Sequence, residues 1–141
     1  MRTLAPIIIW TALPVGMAAA LAAFYGRYRA LPAFLTGPTI CRLEDNGCKA
    51  LFRTSLAAVL GVPNSLLGLV FYPLIGIGLA AGWPARLLLL PATFALGLSA
   101  YLGFRLVHDR LECRICWMGH AANALLWLGL LFNVVEGLPH A

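Results

Sequence analysis

Four cysteines are the residues of this 141-residue chain best suited to chemistry, and they form two spaced pairs, 41/48 and 113/116, with none left over. The second pair is a Cys-x-x-Cys in Cys113-Arg114-Ile115-Cys116-Trp117-Met118-Gly119-His120, at the head of the last hydrophobic segment. Upstream, Asp109-Arg110-Leu111-Glu112 fits a capping box with Asp109 as N-cap and Glu112 at the third helical position. That start would put both cysteines on one face in the first two turns. Unpaired backbone N–H groups and the positive end of the helix dipole favour a thiolate there. Arg110 and Arg114 push the same way, and Glu112 opposes them. The same face continues as Cys116, His120 and Asn123, a polar stripe in an apolar helix, which suggests a buried pocket beneath a redox pair.

The first pair lies in Cys41-Arg42-Leu43-Glu44-Asp45-Asn46-Gly47-Cys48. Asp45, Asn46 and Gly47 are turn formers that let the chain fold back and bring the two thiols within bonding range. A static disulfide stapling the loop and a shuttle disulfide are both open to it. Two neighbouring dithiols suggest a relay, in which a thiolate attacks a disulfide and electrons pass from pair to pair. Such a relay needs a terminal acceptor, and a lipid-soluble two-electron carrier suits a membrane chain. A structural zinc site is the rival, but it usually takes two short Cys-x-x-Cys knuckles, and Cys41/Cys48 is wide, so no metal is expected. Covalent haem needs a histidine directly after the second cysteine, where Trp117 stands.

The elements that must position these residues are membrane helices. The chain is 62% hydrophobic and 11% charged, with a mean hydropathy of +0.89. A soluble domain of this size has too little interior to hide so much apolar surface. The net charge of +5 does not point to nucleic acid, which would want a basic patch on a soluble fold with exposed aromatics. The fold class expected is an all-α integral membrane protein. It is a single membrane domain over 1–141, with spans at about 4–25, 65–82, 87–105 and 113–135, and a cysteine loop with a short helix over 26–64. The uncharged run after Arg2 is too long for a signal peptide's apolar region, and Pro6 and Pro14 fit a kinked span. Residues 31–38 are apolar but broken by Pro32, Gly37 and Pro38, as in a segment lying over the helix mouths. The uncharged stretch from Thr54 to Ala85 exceeds one perpendicular span and is interrupted at Gly61-Val62-Pro63-Asn64-Ser65. A short helix at about 50–60 should precede that turn, and Ser65 should cap the helix after it. Non-helical backbone at membrane depth is tolerated where it lines a cavity, so this turn should line one. Four spans put both termini on one side and both cysteine-bearing connectors together on the other.

Taken together, the wide cysteine pair after the first span, Thr54-Ser55, the stretch from Gly61 to Tyr72 and the Cys-x-x-Cys heading the last span resemble the vitamin K epoxide reductase family in its small bacterial and archaeal form. The likeness covers nearly the whole chain. The other family of quinone-linked disulfide-generating membrane proteins carries its Cys-x-x-Cys before the second span, the reverse of the order here. The resemblance implies a four-transmembrane-helix bundle around a quinone, of ubiquinone, menaquinone or vitamin K type, with the cysteine loop and short helix capping the active-site end. It implies that Cys41 meets a thioredoxin-like partner, Cys48 relays to Cys113, and Cys116 faces the quinone. Asn64 would hydrogen-bond a quinone oxygen. The family's hydroxyl six positions after the second loop cysteine falls on Thr54, with Ser55 adjacent. His120 stands where animal members carry a tyrosine whose hydroxyl bonds a quinone oxygen. Some homologues carry a fused thioredoxin-like domain; here the partner is expected to be a separate protein.

Each of these residues also has a purely structural use. Asn64 suits a turn cap, Asn123 suits a helix–helix hydrogen bond better than a ligand contact, and His120 suits a bond to a neighbouring helix. The function expected is a quinone-dependent thiol oxidase. The alternatives are a vitamin K epoxide or quinone reductase using the same thiols, and a membrane scaffold with static disulfides. Eight of the ten Lys and Arg residues lie on the cysteine side, which by the positive-inside rule is cytoplasmic. Oxidase chemistry favours the periplasmic or extracellular side, and that is the orientation expected, in contact with membrane lipid at every span.

Overall fold

The structure, a computed structural model, describes residues 4–29, 31, 54–110 and 113–137. Cys41, Cys48, their turn and Glu112 lie outside the described residues.

Among the described residues the chain is all helical: α1 (Leu4–Tyr28), a 3₁₀ turn (Ser55–Ala58), α2 (Asn64–Ala80), α3 (Ala85–His108) and α4 (Arg114–Gly137). Helices α1, α3 and α4 are long and apolar enough to cross a membrane; α2 is apolar but only 17 residues long, at the lower limit for a span. Large apolar side chains such as Trp10, Val70, Ile77, Leu90, Phe94 and Phe104 are exposed around the outside, as a lipid-facing surface requires.

Helix α4 is central. It packs along α1 on one side and α3 on the other, and α1 in turn packs on α2. Small residues let these backbones approach. A side chain at Gly129 would meet Ile9, and one at Gly119 would touch Ala19, so α1 and α4 run antiparallel. A side chain at Gly68 would touch Ala20, and one at Gly16 would overlap the Tyr72 ring, so α1 and α2 are antiparallel too. The core around Ile9, Ile75, Leu126 and Leu130 fills this three-helix seam. Helices α2 and α3, by contrast, touch only near their shared turn.

That turn shows why the α2–α3 hairpin closes where it does. Gly82 takes φ +75°; its N–H bonds the Leu79 carbonyl at 3.1 Å, and the Trp83 N–H reaches Gly78 at 2.8 Å. This is a Schellman stop, whose left-handed position glycine fills without strain.

Three local expectations need correction. The short helix expected near 50–60 is, in its described part, only the 3₁₀ turn, because Gly61 at φ +77° and Pro63 stop it. Ser65 does not cap α2: the helix already starts at Asn64, with Pro63 at its N-cap and no side-chain cap bond. Asp109 does not cap α4 either. It is the C-cap residue of α3, held by Arg105 one turn back and by His108. The α4 helix begins five residues later, at Arg114.

Candidate active site

Cys113 stands immediately before α4. Its carbonyl accepts the Trp117 N–H at 3.0 Å, the first helical bond, and its sulfur accepts the Cys116 N–H at 3.2 Å. This is an N-cap with sulfur in the place usually taken by oxygen. Cys113 and Cys116 form a disulfide across this first turn. Both sulfurs therefore lie at the positive end of α4, where a thiolate released by reduction is stabilised.

The two cysteines share an apolar cluster but differ in their access to the cavity. Cys113 is 1% exposed and packs in an apolar cluster with Ala19 of α1, Leu106 of α3 and Ile115. Leu31, just past the end of α1, packs against this cluster. Cys116 instead lines a cavity of about 540 Å³. At the end of α3, His108 and Arg105 hydrogen-bond Asp109 and hold its carboxyl below the usual carboxylate range.

The cavity occupies the space where α2 and α3 part, and α1 and α4 form its floor. Its walls are mainly apolar: Leu67, Phe71, Leu98 and Leu102 are typical. The turn before α2 lines it through Val62 and Asn64, as expected of irregular backbone at membrane depth. Two lining residues carry the buried side-chain atoms that lack any hydrogen-bond partner among the described residues: Asn64 Oδ1 and His120 Nε2. Asn64 Nδ2 donates to the Leu56 carbonyl at 2.7 Å. That carbonyl can only accept, so the amide's orientation is fixed and Oδ1 is the atom left over. The His120 ring packs edge-on to Trp117 at 6.0 Å and beside Gly103 of α3. Unpaired polar atoms in an apolar, water-poor space are costly. A ligand carrying both a hydroxyl donor and an oxygen acceptor at its edge would pair them.

The structure thus gathers Cys116, His120 and Asn64 around one cavity, with Cys113 just outside it. Thr54 and Ser55 do not line the cavity; they are exposed where the 3₁₀ turn starts, and Leu56 and Ala57 follow them into the lining. Asn123 makes helix–helix bonds, accepting from the Tyr72 hydroxyl and donating to Ser99, each at 2.7 Å. Sequence reasoning passed over Tyr72 and Ser99, although both line the cavity. The one signal available was a hydroxyl inside an otherwise apolar helix.

No curated protein and no solved structure matches the chain. The model of the vitamin K epoxide reductase family matches residues 6–131, from the first turn of α1 to the penultimate turn of α4. That family's chemistry is quinone-linked thiol redox chemistry, and a redox-capable disulfide at the mouth of an apolar cavity is the arrangement it needs. With nearly its whole length matched, the chain belongs to the vitamin K epoxide reductase family.

Proposed function

We propose that the chain is a quinone-dependent thiol oxidase that delivers disulfides to a separate thioredoxin-like protein. The observation that carries this reading is the placing of the disulfide: Cys116 lines the cavity that holds the two unpaired polar atoms, and Cys113, bonded to it, is buried just outside that lining. In this reading the partner's dithiol reduces the Cys41–Cys48 disulfide. The Cys48 thiolate then attacks Cys113, and the Cys113–Cys116 bond breaks with Cys116 leaving as a thiolate. Cys41 next attacks Cys48, which re-forms Cys41–Cys48 and releases Cys113. A bound quinone supplies the acceptor: two electrons and two protons leave the Cys113/Cys116 pair, giving a quinol and restoring the disulfide.

The chain's own groups would do the rest. The start of α4 stabilises the departing Cys116 thiolate. His120, one turn below Cys116, would give an Nε2 proton as a hydrogen bond to a quinone oxygen. Asn64 presents Oδ1, an acceptor, which suits the hydroxyl of the quinol better than the carbonyl of the quinone. The mainly apolar walls exclude water and suit the ring and its tail. The site would face the periplasmic or extracellular side; if an impermeant maleimide labels reduced Cys41 only after cell lysis, that orientation is wrong.

The test is steady-state turnover by purified protein with a small dithiol as donor and ubiquinone, menaquinone or vitamin K epoxide as acceptor. Quinone reduction that vanishes in Cys116→Ser is expected, together with a trapped Cys48–Cys113 disulfide on peptide mapping. Turnover of the epoxide alone would make the protein an epoxide reductase instead. No turnover with any acceptor would reduce the disulfide to a structural staple.

A further inference from the structure

Helices α3 and α4 are joined by two side-chain bonds of the same design. In one, Trp127 Nε1 donates to Thr93 Oγ1 at 2.9 Å, and Thr93 passes its own proton to the Leu89 carbonyl at 2.7 Å. In the other, Asn123 Nδ2 donates to Ser99 Oγ at 2.7 Å, but Ser99 passes its proton to no group among the described residues. Thr11 in α1 behaves like Thr93, returning its proton to the preceding turn at 2.8 Å. Ser99 thus lacks the return bond that Thr93 and Thr11 make. It is also 6% exposed and lines the cavity. A donor without an acceptor at membrane depth is costly unless a ligand completes it.

The direction of the donor is set by its neighbours. The other acceptor near the Tyr72 hydroxyl is the Gly119 carbonyl at 3.5 Å, so its proton goes to Asn123 Oδ1 at 2.7 Å. The Asn123 amide must then turn its N–H to Ser99, whose oxygen becomes an acceptor on that side and a donor on the other. Tyr72 is itself clamped, with its ring filling the space over Gly16 of α1. Each bond in such a chain polarises the next, so the last donor is strengthened. Along α4, Asn123 lies three residues below His120, about 4–5 Å of helix rise. Ser99, bonded to Asn123, therefore meets α4 about one helical turn deeper in the same cavity than His120.

We propose that Ser99 is the second carbonyl anchor of the cavity. It holds the oxygen of a 1,4-quinone opposite the one at His120, with Asn123 and Tyr72 as positioning residues. The proposal rests on the quinone reading above and adds that the ligand is held at both carbonyls.

The test is isotope-edited infrared spectroscopy of purified protein loaded with menaquinone carrying ¹³C at one carbonyl or the other. Both carbonyl bands should lie below their positions in free quinone. In Ser99→Ala one band should return to the free position while the other stays, and Ser99→Thr should restore it. Tyr72→Phe, which keeps the ring over Gly16, should move the same band part of the way. The quinone KM of Ser99→Ala should rise by roughly three- to tenfold, the size of one hydrogen bond. If the unaltered protein already shows only one lowered band, or if Ser99→Ala leaves both lowered, the anchor is refuted while the quinone reading stands. If the unaltered protein takes up no quinone, both fall together.

Discussion

The seam between α1 and α4 and the gap between α2 and α3 are made of similarly apolar helices, yet one is closed and the other open. At the seam, glycines of α4 let α1 come close: Gly129 against Ile9 and Ala5, Gly119 against Ala19. Across the gap, Leu67 and Phe71 of α2 and Leu98 and Leu102 of α3 stand apart around a cavity. In lipid no hydrophobic force drives helices together, so close approach has to come from small residues and interhelical hydrogen bonds. Where the sequence supplies them the helices lock; where it supplies bulk, it leaves room for something else to fill the space.

This contrast can be attacked most severely at the seam. Gly129→Val would drive a branched side chain into Ile9 of α1 and should cost about 3 kcal/mol or prevent folding. Gly97→Ala, in α3 where nothing lies near, should be neutral or slightly stabilising. Unfolding in detergent micelles would compare them, and equal losses would mean that the seam is no tighter than the rest. On the gap side, His120→Leu should keep stability and lower quinone kcat/KM by about ten- to a hundredfold. His120→Tyr should keep much of the rate. A leucine variant with unaltered kinetics would leave His120 out of the site. Filling the gap should have a similar but smaller effect: Leu98→Trp should raise the quinone KM by about tenfold with little change in melting, because the added ring enters empty space. A large loss of stability would show that the gap has no room to spare.

The smallest expected effect lies where α3 turns into α4. Arg110 occupies the left-handed position at φ +53° that glycine fills at the other hairpin. Arg110→Gly should stabilise the protein by about 0.5–1 kcal/mol, and thermal unfolding would read it. A loss instead would mean that the arginine side chain makes contacts worth more than the strain.

Much of this was legible in the sequence. The helices follow the uncharged runs, because a charge in hydrocarbon is costly enough to mark each end. The gathering of Cys116 and His120 followed from helical spacing alone. The start of α4 was misread because Asp109 and Glu112 have the spacing of a capping box. The same carboxylate has Arg105 one turn behind it, and those bonds keep it with α3. No local pattern says which partner wins. Ser99 and Tyr72 were passed over because their meaning lies in Asn123, 24 and 51 residues away, and a lone hydroxyl in an apolar helix has no periodicity to betray it. Asn64 was seen, but the atom it leaves unpaired depends on the Leu56 carbonyl, a backbone group invisible to residue types.

The sulfur that begins α4 has one more consequence. A disulfide sulfur is a weak acceptor, whereas a thiolate makes a charge-assisted bond of about twice the strength of a neutral one. When Cys113 carries the charge, the first turn of α4 is held more firmly than when it is oxidised. The hold of this cap on the helix end is therefore set by the redox state of the N-cap residue. Amide exchange at Cys116 should be slower in the dithiol form, and equal exchange in both forms would separate the helix end from the chemistry.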